Sequence, residues 1–302
     1  MKKIISLILA VLMLVGCMTM FASCGGDAIK EVKVINIKLT EEEYAFAVQK
    51  GDTEMLQKLN AFMAEIKANG KFDEIINKYF GDGTPTAVTS AAEMKTDGSQ
   101  LIVATNAAFE PFEYKEGIYY YGVDMEIMAL FAQHLGKELY INNMEFDAVC
   151  LSVSAAGGTY EDENGNAVAV SGGVCDVAAA GLTVSDTRRE ILDFSDSYYD
   201  ASQMLVVAKD DTTFDACTTA EEVEAILKTL DSSVKVGVQS ATTGQKYCKG
   251  DEEWGFDGFA FTTNSYASGA LAVQNILNGN VKYVVIDEGP AKAIVAKVNA
   301  AN

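Results

Sequence analysis

Histidine is almost missing from this chain, and its scarcity excludes a good deal. One imidazole, His134, stands in 302 residues, and the six cysteines show no metal-ligand spacing, so a metal site has no ligand set to be built from. With one His, no metal cluster and no nucleophile elbow, a placed acid, base or nucleophile for an enzyme is hard to find. Basic charge is short as well: 23 Lys and Arg against 43 Asp and Glu leave a net charge of −20. No basic patch is present to neutralise phosphates, which argues against nucleic acid as a partner and against docking by charge onto anionic lipid. Acidity of this kind mostly serves solubility. Apolar runs are short. Ile4–Val15, after Lys2 and Lys3, is too brief for a comfortable membrane span and reads as the core of a secretory leader.

Two cysteines close that leader, in Leu14-Val15-Gly16-Cys17 and Phe21-Ala22-Ser23-Cys24. Both resemble a bacterial lipobox, cut before a Cys that carries lipid. Cys17 has the better residue three places upstream. Cys24 has the better sequel, because Gly25-Gly26-Asp27 begins a soluble tether, whereas a cut at Cys17 leaves Met18–Phe21 exposed. Cys24 is therefore preferred as the lipidated residue, with Cys17 the alternative. Cys150, Cys175, Cys217 and Cys248 remain, and outside the cell they allow three disulfide pairings or four free thiols.

The rest of the chain alternates strands with helices. Leu101–Thr105 suits a buried strand. Val123–Leu135 has helical apolar spacing and stops at Gly136. Glu138–Ile141, Cys175–Ala180 and Gln203–Val207 are further strand candidates. Thr219–Leu230 reads as a helix with Thr219 as N-cap and Glu222 at capping-box spacing. Lys235–Val238 and Tyr283–Ile286 read as strands, Ala267–Leu277 as a helix, and another helix starts from Gly289. Such alternation predicts α/β domains with largely parallel sheets. Residues 154–173 carry Glu163-Asn164-Gly165-Asn166 between two short extended runs, which predicts a solvated β-hairpin. That insertion also has the option of rimming a cleft or meeting a partner.

Arginine is the other scarcity. Lysine outnumbers it 21 to 2, and both arginines are adjacent, Arg188 and Arg189. A surface solved with Lys that keeps Arg at one spot points to a planar, bidentate need there. The pair follows Ala179-Ala180-Gly181-Leu182-Thr183-Val184-Ser185-Asp186-Thr187. Asp287 ends the buried run Val284-Val285-Ile286, a usual place for ligand groups in open α/β sheets. Gln239–Gly244 leads into a helix, where unpaired N–H groups favour anions.

These stretches, with Leu101–Tyr114 (LIVATNAAFEPFEY), Asp193–Tyr199 (DFSDSYY) and Val32–Phe80 (with EEYAFAV and a final KYF), resemble the extracellular amino-acid-binding proteins of the ABC-transporter type, solute-binding protein family 3. The resemblance implies a two-lobed, periplasmic-binding-protein-like α/β fold, two mixed or parallel sheets flanked by helices with a hinge between lobes. It implies that Arg188 clamps a ligand's α-carboxylate with donors from Gly181 and Thr183, while Ala180 and Asp287 receive the α-ammonium. Arg189 is expected to face solvent. Phe109 and Phe146 become opposite aromatic walls, and Gln239 and Thr243 close from the second lobe. Asn106 stands where several relatives carry Asp, so the ligand leans towards a neutral polar amino acid such as glutamine. Ser197 replaces a common Pro.

The order of the segments departs from the family. Val32–Phe80 resembles the family's closing segment, yet it precedes the segment that resembles the family's start. A circular permutation explains this with nothing duplicated. The reading divides the chain into a lipoprotein signal peptide (1–23), a tether (24–31), the displaced closing segment (32–80), a linker joining the family's original ends (81–100), lobe 1 (101–204) and lobe 2 (205–302). A flexible linker of that length spans roughly 25 Å. The implied function is a lipid-anchored, monomeric receptor on the extracellular face of the cell membrane that delivers an amino acid to an ABC permease, without a cofactor. A sensor domain and a dehydratase-like enzyme are the alternatives.

Overall fold

The computed structural model describes residues 29–162 and 164–301. The expected leader with Cys17 and Cys24, most of the expected tether, and Glu163 lie outside the described residues. The described chain begins in lobe 2 with β1 (Val32–Ile35) and crosses to lobe 1 for β2 (Glu42–Tyr44), β3 (Ala47–Gln49), α1 (Thr53–Ala68) and α2 (Lys71–Phe80). Lobe 1 continues with β4 (Gln100–Thr105), β5 (Ala108–Phe109), β6 (Glu113–Glu116), β7 (Tyr119–Tyr121), α3 (Val123–His134), β8 (Glu138–Asn143) and α4 (Phe146–Val153). The hairpin of β9 (Gly158–Glu161) and β10 (Ala167–Val170) follows, then β11 (Val177–Ala178), α5 (Asp186–Arg189), β12 (Leu192–Phe194) and β13 (Tyr199–Ala201). The chain returns to lobe 2 for β14 (Gln203–Ala208), α6 (Ala220–Leu227), β15 (Lys235–Gln239), α7 (Thr243–Lys249), β16 (Thr262–Tyr266), α8 (Gly269–Leu277), β17 (Tyr283–Asp287) and α9 (Glu288–Ala301).

Each lobe is built on a five-stranded mixed sheet. Lobe 1 runs β12-β3-β11-β4-β8 and lobe 2 runs β1-β14-β17-β15-β16. Parallel pairs (β4 with β8 and β11, β15 with β16 and β17) make up one side of each sheet, with β8 and β16 at its edge, and antiparallel pairs make up the other. The central strands read as continuous apolar runs because helices cover both faces. In lobe 2, Leu205, Val207, Tyr283 and Val285 fill one face while Met204, Val206, Val284 and Ile286 fill the other, the period of two that a strand imposes. In lobe 1, Val103 and Val177 pack with α1 and α3 on one side, and Ala104 and Ala178 with α4 on the other.

Helix ends follow the local chemistry. Thr219 Oγ1 accepts from Glu222 N at 3.4 Å, and Gly136 takes φ 65° just past α3. α6 stops at Leu227, short of the predicted Leu230. The predicted strand Cys175–Ala180 is ladder-paired only over Val177–Ala178, because the chain then bends into the turn at Gly181. EEYAFAV splits at Ala45-Phe46: β2 pairs with β13 and β3 with β11 and β12. Residues 81–100, expected as a flexible coil, are laid along lobe 1. Val88 exchanges backbone hydrogen bonds with Tyr120 at 2.8 and 2.9 Å and buries its side chain, and Ala91 N donates to Leu139 O at 2.8 Å.

Two crossings join the lobes, one between β1 and β2 and one between β13 and β14. They run side by side, with Leu39 N donating to Gln203 O at 2.9 Å and Gln203 N to Thr40 Oγ1 at 2.8 Å. In lobe 2, Asn299 of α9 clasps Val32 of β1, accepting from its N–H at 3.0 Å and donating to its carbonyl at 2.9 Å.

Candidate ligand-binding site

The groups singled out in the sequence converge where the lobes meet. Ser185 caps α5 and accepts from Arg188 N at 3.2 Å, which sets the start of that short helix. From there the Arg188 guanidinium donates to the Thr183 carbonyl at 2.6 Å and, across the cleft, to the Ala241 carbonyl at 3.2 Å. It also lies over the Phe146 ring, 5.4 Å from the centroid. Ala241 holds φ 57°, an unfavourable region for a residue with a Cβ, and so sits strained beside the guanidinium. Arg189 is exposed, its guanidinium over Phe194.

Asp287 ends β17 almost fully buried. The Tyr44 hydroxyl donates to its Oδ1 at 2.5 Å. Burial, and then the charge of Glu42, hold its carboxyl above the ordinary carboxylate range. Gly181 carries φ 49°, and a Cβ there would stand 2.8 Å from Phe109 Cε1, so only glycine lets the aromatic wall approach the turn.

Phe109, Phe146, Gly181, Thr183, Arg188, Gln239, Thr243 and Asp287 all line one small interlobe cavity, and Thr242 joins them. Its volume is about 10 Å³, room for about one water, so a larger occupant requires the lobes to part. Asn106 and Ala180 stand outside the lining. The Asn106 carboxamide bonds across the cleft to Gln239 Nε2 at 3.2 Å and donates to Met144 O at 2.8 Å. The Ala180 side chain packs into the lobe 1 core. A much larger cavity of 690 Å³ opens at the cleft mouth beneath the β9–β10 hairpin, lined by Tyr160, Glu161, Lys249 and Tyr266 among others. Its lining includes Asp147 and Asp162 but no Arg to face them. The site is therefore assigned to the smaller cavity on its chemistry.

Two expected donors are engaged inside the protein. The Gly181 N–H donates to Asp124 Oδ2 at 3.0 Å, and the Thr183 hydroxyl donates to Glu42 Oε2 at 2.9 Å. Glu42 also receives Thr40 Oγ1 at 2.6 Å and Gln203 Nε2 at 3.0 Å. Asp124 receives the Tyr198 hydroxyl at 2.6 Å, and its carboxyl is pushed up to about 7 by burial, which outweighs the Tyr198 and Gly181 hydrogen bonds. Glu113, fully buried nearby, has no hydrogen-bond partner on either carboxylate oxygen, and burial with the charges of Asp124 and Asp287 raises it well.

Glu42, Tyr44, Asp124 and Thr242 were not picked out from the sequence as site residues. Thr242 lies inside the quoted 239–244 stretch, and Glu42 and Tyr44 inside EEYAFAV, where they served only as markers of fold. Asp124 left a fainter signal, one of two carboxylates in an apolar-rich helix start. Among the described residues, no group of His, Cys, Asp and Glu is arranged to hold a metal ion. Cys150, Cys175, Cys217 and Cys248 are free thiols.

The sequence matches the family model of bacterial extracellular solute-binding proteins, family 3, over residues 6–82 and 162–299. The arginine-binding extracellular protein ArtP of Bacillus subtilis is 32% identical over 111 residues, 37% of this chain and 37% of that protein. This chain thus spans under two fifths of the length of that curated relative. Among solved structures, an ancestral arginine-binding protein bound to arginine is similar at 27% identity and TM-score 0.51, covering 66% of this chain and 74% of that one. An ancestral arginine-binding protein bound to glutamine is similar at 26% identity and TM-score 0.51, covering 69% and 77%.

Proposed function

Because the chain belongs to the bacterial extracellular solute-binding proteins, family 3, we propose that it is a receptor that captures a free amino acid between its lobes and presents it to an ABC permease. The observation that carries this is the pairing of Arg188 and Asp287 on one interlobe cavity between the Phe109 and Phe146 rings. Arg188 takes the α-carboxylate, Asp287 the α-ammonium, with the Ala180 carbonyl beside it, and Thr243 closes from lobe 2. A zwitterion uses both charges, and the lining offers no third one. A cationic side chain would need a further carboxylate at its end. The Asn106–Gln239 carboxamide pair suits an amide instead, so the ligand is a neutral polar amino acid, with glutamine first. This parallels the ancestral relative whose structure holds glutamine, although that protein and ArtP are both named for arginine. The chemistry assigned here is binding, with Arg188 and Asp287 both taken up by the zwitterion.

The receptor is a monomer tethered by lipid at Cys24, or at Cys17, on the extracellular face of the membrane. Its chain order is that of a circular permutant. Support comes from Asn299 clasping Val32 in lobe 2, where the unpermuted chain would run on, and from the ordered path of 81–100 between α2 and β4. Permutation is tolerated where the joined ends lie close at the surface.

Thermal unfolding of the chain freed of its leader, with each of the twenty amino acids at millimolar concentration, tests the reading. A ligand at a hundred times its dissociation constant adds about 2.7 kcal/mol. The expected result is a midpoint raised by glutamine or a close neutral analogue and unmoved in Arg188→Ala. A cooperative transition that no amino acid shifts refutes the ligand class.

A further inference from the structure

Glu253 belongs to the loop between α7 and β16 in lobe 2, and it does not line the ligand cavity. Its carboxylate nevertheless reaches across the cleft. One oxygen accepts from the Asp186 backbone N–H, and the other accepts from the Thr187 hydroxyl at 2.5 Å. These donors are the first two residues of α5, the turn of helix that carries Arg188. Lys246, one helix turn before the loop, holds the same carboxylate from the lobe 2 side at 3.3 Å. The side chain is only 19% exposed. Other bonds that cross the cleft use a single acceptor each, as Ser240 Oγ does to Asp147 Oδ1 at 3.0 Å and Tyr44 to Asp287. Glu253 instead binds two lobe 1 donors with two oxygens, which fixes direction as well as distance.

We propose that Glu253 is the closure latch of the receptor, a positioning residue that caps the Arg188 helix from the opposite lobe only when the lobes are shut. The inference rests on the receptor reading above. When the lobes part, the Asp186 N–H and Thr187 hydroxyl return to water and Glu253 keeps Lys246. The latch therefore favours the closed state by the difference between those arrangements, without touching the ligand. Its loss acts on release. Escape requires opening, whereas encounter with the open cleft does not involve Glu253.

The chain supplies its own reporter. Trp254, the next residue, is the only tryptophan in the sequence. Its ring lies in a cavity it shares with Glu43 and Val184 of lobe 1 and stacks on Phe256 at 5.9 Å, and its indole N–H is buried without an acceptor. Opening the lobes carries Trp254 from a protein surface into water, so its emission reads the movement of this loop.

The test is stopped-flow Trp254 fluorescence with L-glutamine as first probe and the other amino acids after it, on the wild type, Glu253→Ala, Glu253→Gln, Thr187→Val and the double variant Thr187→Val/Glu253→Ala. Small-angle scattering without added ligand accompanies it. The expected result is a dissociation rate raised about tenfold in Glu253→Ala with the association rate within about twofold. Glu253→Gln, which keeps one acceptor, falls between. Thr187→Val raises dissociation less, and the double variant is no worse than Glu253→Ala, the non-additivity of two groups sharing one interaction. Unchanged dissociation in Glu253→Ala overturns the latch while leaving the receptor reading intact. If no amino acid moves the wild-type emission, the receptor reading falls. The latch is then decided by scattering, where a larger radius in Glu253→Ala supports it and an equal radius overturns it. Should Glu253→Ala fail to unfold cooperatively, Thr187→Val decides by the same two measurements.

Discussion

At the scale of single residues, burial decides what the carboxylates do. Asp124 accepts from Gly181 and Tyr198, so it holds the turn that faces the cavity, yet it is buried enough to titrate at about 7. A folded-state value above the unfolded one, about 3.9, means that its contribution to stability is full below pH 4 and is lost as pH rises through about 7. The thermal midpoint of the ligand-free protein is expected to fall as pH rises from 4 through about 7. Asp124→Asn should flatten part of that slope, the remainder belonging to Asp287 and Glu113, which are raised by the same cause. Unfolding in a pH series checks this, and an unaltered slope in Asp124→Asn would refute the assignment.

At the scale of elements, the turn after β11 and the inserted hairpin make opposite predictions. Gly181 combines φ 49° with a Cβ position against the Phe109 ring, so Gly181→Ala should cost about 1–3 kcal/mol. It should also weaken any amino-acid shift of the midpoint, because the displaced ring is a wall of the cavity. The β9–β10 hairpin is joined by its own four-residue register and has no buried residue in either strand. Replacing 157–172 by a short turn should therefore leave the midpoint within about 0.5 kcal/mol of the original, as surface changes usually do, while opening the cavity at the cleft mouth. A large loss of stability would show that the hairpin carries packing. The hairpin was legible in the sequence because its turn residues are local. The break of EEYAFAV into β2 and β3 was not, because it follows from which distant strands each half pairs with.

At the scale of the whole molecule, the chain passes between the lobes only at two crossings, bonded to each other at Leu39–Thr40 and Gln203, the place where a hinge rotation would be absorbed. The proposed circular permutation has its own expected outcome. A chain in which residue 299 is joined by a short linker to residue 32, and which is opened within 81–100, should fold to the same lobes and keep the same amino-acid profile. The cost of opening should be modest and should come chiefly from Val88 and Ala91, which now bond to lobe 1. Identical ligand shifts in both orders would support the permutation, and loss of cooperative unfolding in the re-joined chain would count against it.

The sequence by itself determined the alternation of strands and helices, the helix stops at Gly136 and Leu277, and the single place where arginine is kept. Those follow from local periodicity, capping and the scarcity of arginine, all of which act within a few residues. Only the tertiary structure decided that Glu42 and Tyr44 lie behind Asp287, that Asp124 takes the Gly181 N–H, that residues 81–100 are ordered, and that Glu253 reaches α5. Each of these rests on hydrogen bonds between groups 32 to 243 positions apart or buries a side chain that the linear order leaves neutral in meaning. Hydrogen bonds and desolvation depend on distance in space, and distance in space is set by how the sheets close and the lobes meet.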